Sequence, residues 1–305
     1  MSLLVVGSVA LDSVETPFGK AEGVLGGSAT FFSASASLLS PVQVVGVVGD
    51  DYPIDLLKPL EKRGVDFAGL EHAKGSSFRW RGRYRHDLNA AETLETHLGV
   101  FSHFHPKIPP QFRNAEFVFL GNIDPRLQLD VLTQVEKPKL VACDTMNFWI
   151  ESRRADIVKL LAHVNCITLN DGEARQLTDH NNLVKAAKWI MSKGPSLVII
   201  KKGEHGAFMF TPKTVFFAPA FPLEEVFDPT GAGDAFAGGF MGYLARSGDI
   251  SDASLRRAVI YGSAMGSFAV EKFSIERLME VDAEQLAARV AEFRGLVAFE
   301  DELPR

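Results

Sequence analysis

The residues most able to do chemistry lie in Asp228–Asp234, which reads DPTGAGD and runs into the small-residue stretch AFAGGFMGYLA. Gly231, Ala232 and Gly233 let the backbone approach a ligand closely. A glycine-rich turn that opens a helix aims unpaired N–H groups and the positive end of the helix dipole at one point, which makes an anion site. Asp234 stands at its rim. A carboxylate there is misplaced for merely holding a phosphate. It makes sense if it takes the proton from an attacking hydroxyl while the N–H groups hold a transferring phosphoryl group. The bland rival is a helix N-terminus with an incidental capping Asp, and for an arbitrary GxGD that rival wins. The longer string, its helical continuation and the elements before it make this instance more specific.

Those elements alternate. Strands are expected at 3–9, 42–48, 117–120, 140–143, 166–169 and 197–200, and helices at 28–39, 54–63, 126–134, 153–163, 183–192 and 232–246. Strands separated by helices argue for βαβ units and a mostly parallel sheet, and near-continuous apolar strands argue for burial on both faces. Two regions break the rhythm. GSSFRWRGRYRHDL (75–88) alternates, with Phe78, Trp80 and Gly82 on one side and Arg79, Arg81 and Arg83 on the other, as an extra hairpin would. Segment 207–222 reads as antiparallel strands and turns, and the rest of the chain is mostly helical.

Composition narrows the partners. A formal net charge of -6 over 305 residues does not suit a nucleic-acid or anionic-membrane binder. Cys143 and Cys166 sit in apolar runs outside any metal-ligand spacing. His86, His97, His103 and His105 lack helical i, i+4 pairing and read as solvated. No apolar run reaches membrane-spanning length and no signal peptide is evident, so the cytoplasm is the expected compartment.

DPTGAGDAFAGGF resembles the C-terminal signature of the ribokinase family, also called the PfkB carbohydrate kinase family. Further resemblances follow in the family's order: Gly7, Ser8 and Asp12; Gly26 and Gly27; Gly46 to Asp51 as G-x-x-G-x-D; Asn170 to Glu173 as N-x-x-E; and Gly203 to Gly206 as G-x-x-G. The resemblance implies Asp234 as general base and Gly231, Ala232 and Gly233 as anion hole. It implies Asp12, Gly26 and Gly27 at the sugar, and Gly203 and Gly206 beside the nucleotide, with Lys201 counted among the nucleotide residues. Asn170 and Glu173 would organise the Mg²⁺ of Mg-ATP, through water. Asp228 and Thr230 resemble positions shaping a monovalent-cation site, which allows K⁺. Each has a plainer rival: Asp12 as a loop residue ending a strand, Asn170 and Glu173 as a capping pair, Lys201 as a solvated strand end.

The expected fold is therefore a ribokinase-like three-layer αβα sandwich over residues 1–305, a single kinase unit. Its small β-sheet lid would come from about 10–25 and 75–100 and could pair two copies into a homodimer. Three departures stand out. Phe31 occupies about the place of an asparagine that touches the sugar, Pro53 follows GDDY where glycine is common, and GSFAVEKFS (266–274) does not match the usual ending of a potassium site. The expected reaction is ATP-dependent phosphorylation of a primary hydroxyl on a small sugar. A ribonucleoside such as adenosine or inosine is the alternative, favoured by Phe31, Phe32 and the aromatic lid. A non-catalytic sugar or nucleotide sensor is the rival of another class. A nicotinamide-binding Rossmann enzyme is disfavoured because the first strand lacks a following GxGxxG.

Overall fold

The computed structural model describes residues 1–298. The strands are β1 (Leu3–Val6), β2 (Ala10–Thr16), β3 (Gly19–Gly26), β4 (Val42–Gly49), β5 (Val65–Ala73), β6 (Arg79–Tyr84), β7 (Ala91–His97), β8 (Phe117–Leu120), β9 (Leu140–Asp144), β10 (Cys166–Asn170), β11 (Leu197–Lys201), β12 (Ala207–Phe210) and β13 (Val215–Ala218). The helices are α1 (Ser28–Ala36), α2 (Lys58–Lys62), α3 (Pro125–Gln134), α4 (Asn147–Leu161), α5 (Asp171–Thr178), α6 (Leu183–Met191), α7 (Ala232–Ser247), α8 (Asp252–Ala269), α9 (Glu276–Glu280) and α10 (Ala283–Val297).

Nine strands form one sheet in the order β13-β12-β11-β10-β9-β8-β1-β4-β5, parallel except for β12 and β13. Its central strands bury both faces, and successive side chains enter different cores. Leu3 and Val5 of β1, with Phe117 and Phe119 of β8, join α1, α7 and α8 in one core. Leu4, Val6, Val118 and Leu120 join residues of α4, α5 and α6 in the other. This is the three-layer arrangement expected. Gly238 and Gly242 of α7 lie where an added Cβ would fall 2.3 Å from Phe32 O and 3.1 Å from Ala36 Cα, so the small-residue run lets α7 sit tightly against α1.

The second sheet has four strands in the order β3-β2-β6-β7. Strand β6 pairs with β7 antiparallel and with β2 parallel, placing Asp12 opposite Trp80 and Val14 opposite Gly82. Trp80, Gly82 and Tyr84 thus share the face of Asp12, while Arg81 and Arg83 on the other face approach Glu22 at 3.9 Å and Glu15 at 3.2 Å.

Several boundaries differ from expectation. The helix expected at 54–63 is a 3₁₀ turn (Ile54–Leu57) followed by α2, because Pro59 has no N–H to donate and is tolerated only in a first turn. The helix expected from Arg153 begins at Asn147, and Arg153 (φ -140°) marks a kink inside it. The first strand stops at Val6, because the chain leaves the large sheet to enter the small one at Ala10. Strand β5 and helix α5 were not expected from periodicity.

Candidate active site

Asp144, Asn170 and Lys201 are the last residues of β9, β10 and β11, and they stand at the carboxyl edge of the sheet where open α/β folds bind ligands. The N-terminus of α7 meets them there. Its N-cap, Gly231, is left-handed (φ 73°), and a Cβ on it would lie 2.2 Å from the ring of Phe31. A side chain is therefore excluded by both conformation and space. Phe31 is 2% exposed and supports this turn from below, so its ring presents no open face. The expectation of a ring set to face a substrate is not met by this placement.

Asp234 lies in the first turn of α7. Its side chain is half-buried. Burial, reinforced by the charge of Asp144 and opposed by Lys201, raises its pKa to about 7. Lys201 Nζ is 3.0 Å from Asp144 Oδ2, which also accepts from the Thr168 hydroxyl at 2.9 Å. A Cβ on Gly233 would lie 2.9 Å from that ammonium, so Lys201 reaches beneath the glycine turn. Burial pulls the Lys201 pKa down, but the carboxylates of Asp144, Glu173 and Asp234 outweigh it and the shift is upward. Lys201 is thus a paired cation inside an acidic cluster, not a solvated strand end.

Asn170 and Glu173 form a complete capping box on α5: Glu173 N–H donates to Asn170 Oδ1 and Asn170 N–H to Glu173 Oε2, each at 2.7 Å. Burial and the Asp144 charge raise the Glu173 pKa. The capping reading is met, and it leaves the second carboxylate oxygen available.

Asp12 is 5% exposed, on the inner face of the small sheet. Burial lifts its pKa to about 7 against an N–H from Gly27, with Asp228 and Asp234 adding to the rise. A Cβ on Gly26 would overlap the Asp12 carboxyl at 2.0 Å, which explains why the chain needs glycine there. Asp228 is 1% exposed and holds its own turn, accepting Thr230 N–H at 2.9 Å and Ser274 N–H at 3.2 Å. The Thr230 hydroxyl donates to Tyr84 Oη at 3.3 Å, tying the small sheet to the glycine turn. Gly203 lies under the tip of the β6–β7 hairpin, where its Cβ would fall 2.1 Å from Asn89 Oδ1.

Asp12, Asp228 and Asp234 are therefore brought together, as are Asp234, Lys201 and Glu173. Asp144, Tyr84 and Asn89 were missed. A carboxylate closing an apolar strand was a usable signal for Asp144, whereas nothing local marks Tyr84 or Asn89. Among the described residues no helix is long and apolar enough to cross a membrane, and no group of three His, Cys, Asp or Glu is placed to hold a metal ion.

The chain is similar to known proteins along most of its length. It is 30% identical over 253 residues to a cytidine kinase of Thermococcus kodakarensis, covering 81% of this chain and 89% of that one. The nucleoside kinase structure of Methanocaldococcus jannaschii matches with a TM-score of 0.77 at 19% identity, covering 95% of this chain and 98% of that one. A Burkholderia thailandensis nucleoside kinase structure in complex with inosine matches with a TM-score of 0.78 at 20% identity, covering 96% and 99%. Those two structures share the ribokinase-like fold. The sequence profile described as pfkB family carbohydrate kinase matches residues 11–280, and the chain belongs to that family of kinases.

Proposed function

We propose that this kinase transfers the γ-phosphoryl group of ATP to the primary 5′-hydroxyl of a ribonucleoside. The observation that carries the substrate reading is the inner face of the small sheet. There Trp80 and Tyr84 share a side with the buried carboxylate of Asp12. A carboxylate accepts from sugar hydroxyls, and flat aromatic rings beside it suit a base. The names of the relatives, a cytidine kinase and nucleoside kinases, support the same reading.

Bound Mg-ATP supplies the phosphoryl group and the metal's neutralising charge. The chain does the rest. Asp234 accepts the proton of the attacking hydroxyl, and its raised pKa keeps it an effective base near neutral pH. The N–H groups of Gly231 and Gly233 at the N-terminus of α7 would hold the phosphoryl oxygens, whereas the Ala232 N–H, expected to join them, donates to Pro229 O at 3.2 Å. Lys201, fixed by Asp144, adds positive charge below the turn. Gly203 and Gly206 border the nucleotide. Glu173 fits a water-held Mg²⁺, because a carboxylate oxygen outside the capping bond can accept from the ion's water shell. For a monovalent cation the fit is poorer: both Asp228 oxygens already accept N–H groups, and we derive no step through K⁺.

The test is kcat/KM for cytidine, inosine, adenosine, free ribose and fructose with Mg-ATP. At least one nucleoside is expected to exceed both free sugars by tenfold or more, on the order of 1.4 kcal/mol of added transition-state binding. Free ribose or fructose ranking first would overturn the reading.

A further inference from the structure

Asp144 ends strand β9 with a buried carboxylate that is held on both oxygens. Oδ1 accepts Thr145 N–H at 2.7 Å, and Oδ2 accepts the Thr168 hydroxyl at 2.9 Å and Lys201 Nζ at 3.0 Å. Its backbone is fixed as well. Gln128 Nε2 donates to Asp144 O at 3.0 Å and also to the carbonyls of Leu120 and Gly121 at the end of β8. Asp144 is 5% exposed and Gln128 1%. A carboxylate so enclosed acts on the reaction through the cation it holds, not by touching substrate.

Lys201 has two carboxylates within its reach. Its ammonium lies 2.9 Å from where a Cβ on Gly233 would stand, and Gly233 is the residue before Asp234 in the first turn of α7. Only glycine leaves that space open. The ammonium of a lysine is a point charge on a flexible four-carbon stem, so it follows whichever carboxylate is left to pair with it. Here its hydrogen bond goes to Asp144, and it acts on Asp234 through its charge alone. Direct pairing with Asp234 would favour the charged carboxylate and weaken it as a proton acceptor. The charged groups around Asp234 are Asp144 of β9, Glu173 of α5, Lys201 of β11 and Asp12 of β2. Lys201 is the cation of that set, so its placement decides whether the base is free.

We propose that Asp144 is a positioning residue that holds Lys201 beneath the glycine turn and off Asp234, so that a cation supports the phosphoryl site while the base stays unpaired. The inference rests on the reading of Asp234 as the base, and not on which acceptor is phosphorylated.

The experiment is the pH profile of kcat/KM, with the best acceptor, for wild type, Asp144→Asn, Lys201→Met and the double variant. Asp144→Asn is expected to lower kcat/KM about 10- to 100-fold at neutral pH, part of what a general base contributes. Its acid limb should move down from about 7 by roughly one pH unit or more, because the released ammonium pairs with Asp234. Lys201→Met should move the limb up, since the cation opposing the rise is gone. In the Lys201→Met background, adding Asp144→Asn is expected to cost less than about threefold, because the two residues act as one unit. The double variant leaves no uncompensated charge in the buried site, so it should fold even if Asp144→Asn alone does not. Its comparison with Lys201→Met then decides the question. An acid limb unmoved in Asp144→Asn, with a lowered Tm, would make Asp144 a structural residue only. An equal cost of Asp144→Asn in both backgrounds would also overturn the proposal. Near-normal turnover by Asp234→Asn would remove the base reading and this proposal with it. An inactive Asp234→Asn beside an unmoved limb in Asp144→Asn would sink this proposal alone.

Discussion

A carboxylate that must take a proton from an alcohol works best when its own proton affinity is raised toward the working pH. Asp234 meets that condition through burial and the nearby Asp144 charge, which lift its pKa to about 7. Its base form is therefore lost as pH falls through about 7. The kcat/KM profile should show an acid limb centred there, dropping about tenfold per pH unit below it. Asp234→Asn should lower kcat by about 10²–10⁴-fold and remove the limb, since the amide cannot accept the proton. A limb below pH 5, or near-normal turnover by the Asn variant, would remove Asp234 from the role of base. Asp234 was legible because its meaning is local: a glycine turn, a helix and an acid within seven letters. Phe31 was less legible, because single positions do not report where a ring points. Its ring lies beneath Gly231, where it excludes a Cβ.

At the scale of elements, helix α5 carries a capping box, and the Mg²⁺ role proposed for Glu173 would be a second duty of the same residue. Its capping box satisfies the N-cap N–H with Glu173 Oε2 and the N3 N–H with Asn170 Oδ1. Gln at position 173 keeps an oxygen for the cap but loses the charge. Glu173→Gln should therefore fold with a Tm within about 2 °C of wild type, since a cap as a whole contributes only about 1 kcal/mol. The Mg²⁺ concentration for half-maximal activity should rise several-fold. An unchanged Mg²⁺ titration with normal stability would leave Glu173 as a cap alone. Other elements escaped for physical reasons. Strand β5 is an edge strand with a register shift against β4, so its half-exposed, bulged sequence carries neither clean alternation nor a continuous apolar run. The kink at Arg153 hid the first turns of α4.

Across the whole molecule, the acids gathered at the site cost stability in the form that does the chemistry. Asp12 and Asp234 have folded pKa values of about 7 against ordinary values of 3.8, and Glu173 is shifted the same way. The folded state then binds more protons than the unfolded chain. The stability these groups contribute is full below about pH 4 and is lost as pH rises through about 7. In thermal unfolding between pH 5.5 and 8.5, the Tm advantage of Asp234→Asn over wild type should grow by several degrees on the alkaline side. A difference constant with pH would show that Asp234 carries no such strain. The sequence by itself determined the signature turn, the βαβ order and the position of the acid at the helix start, because capping, glycine geometry and apolar runs depend on neighbours along the chain. Only the tertiary structure decided that Lys201 pairs with Asp144 and that Tyr84 reaches Thr230. Those meetings are set by the order β11-β10-β9 in the large sheet and by the parallel register of β2 on β6, which brings the end of β6 toward the glycine turn. Each joins residues dozens of positions apart, where no local hydrogen bond or periodicity leaves a trace in the sequence.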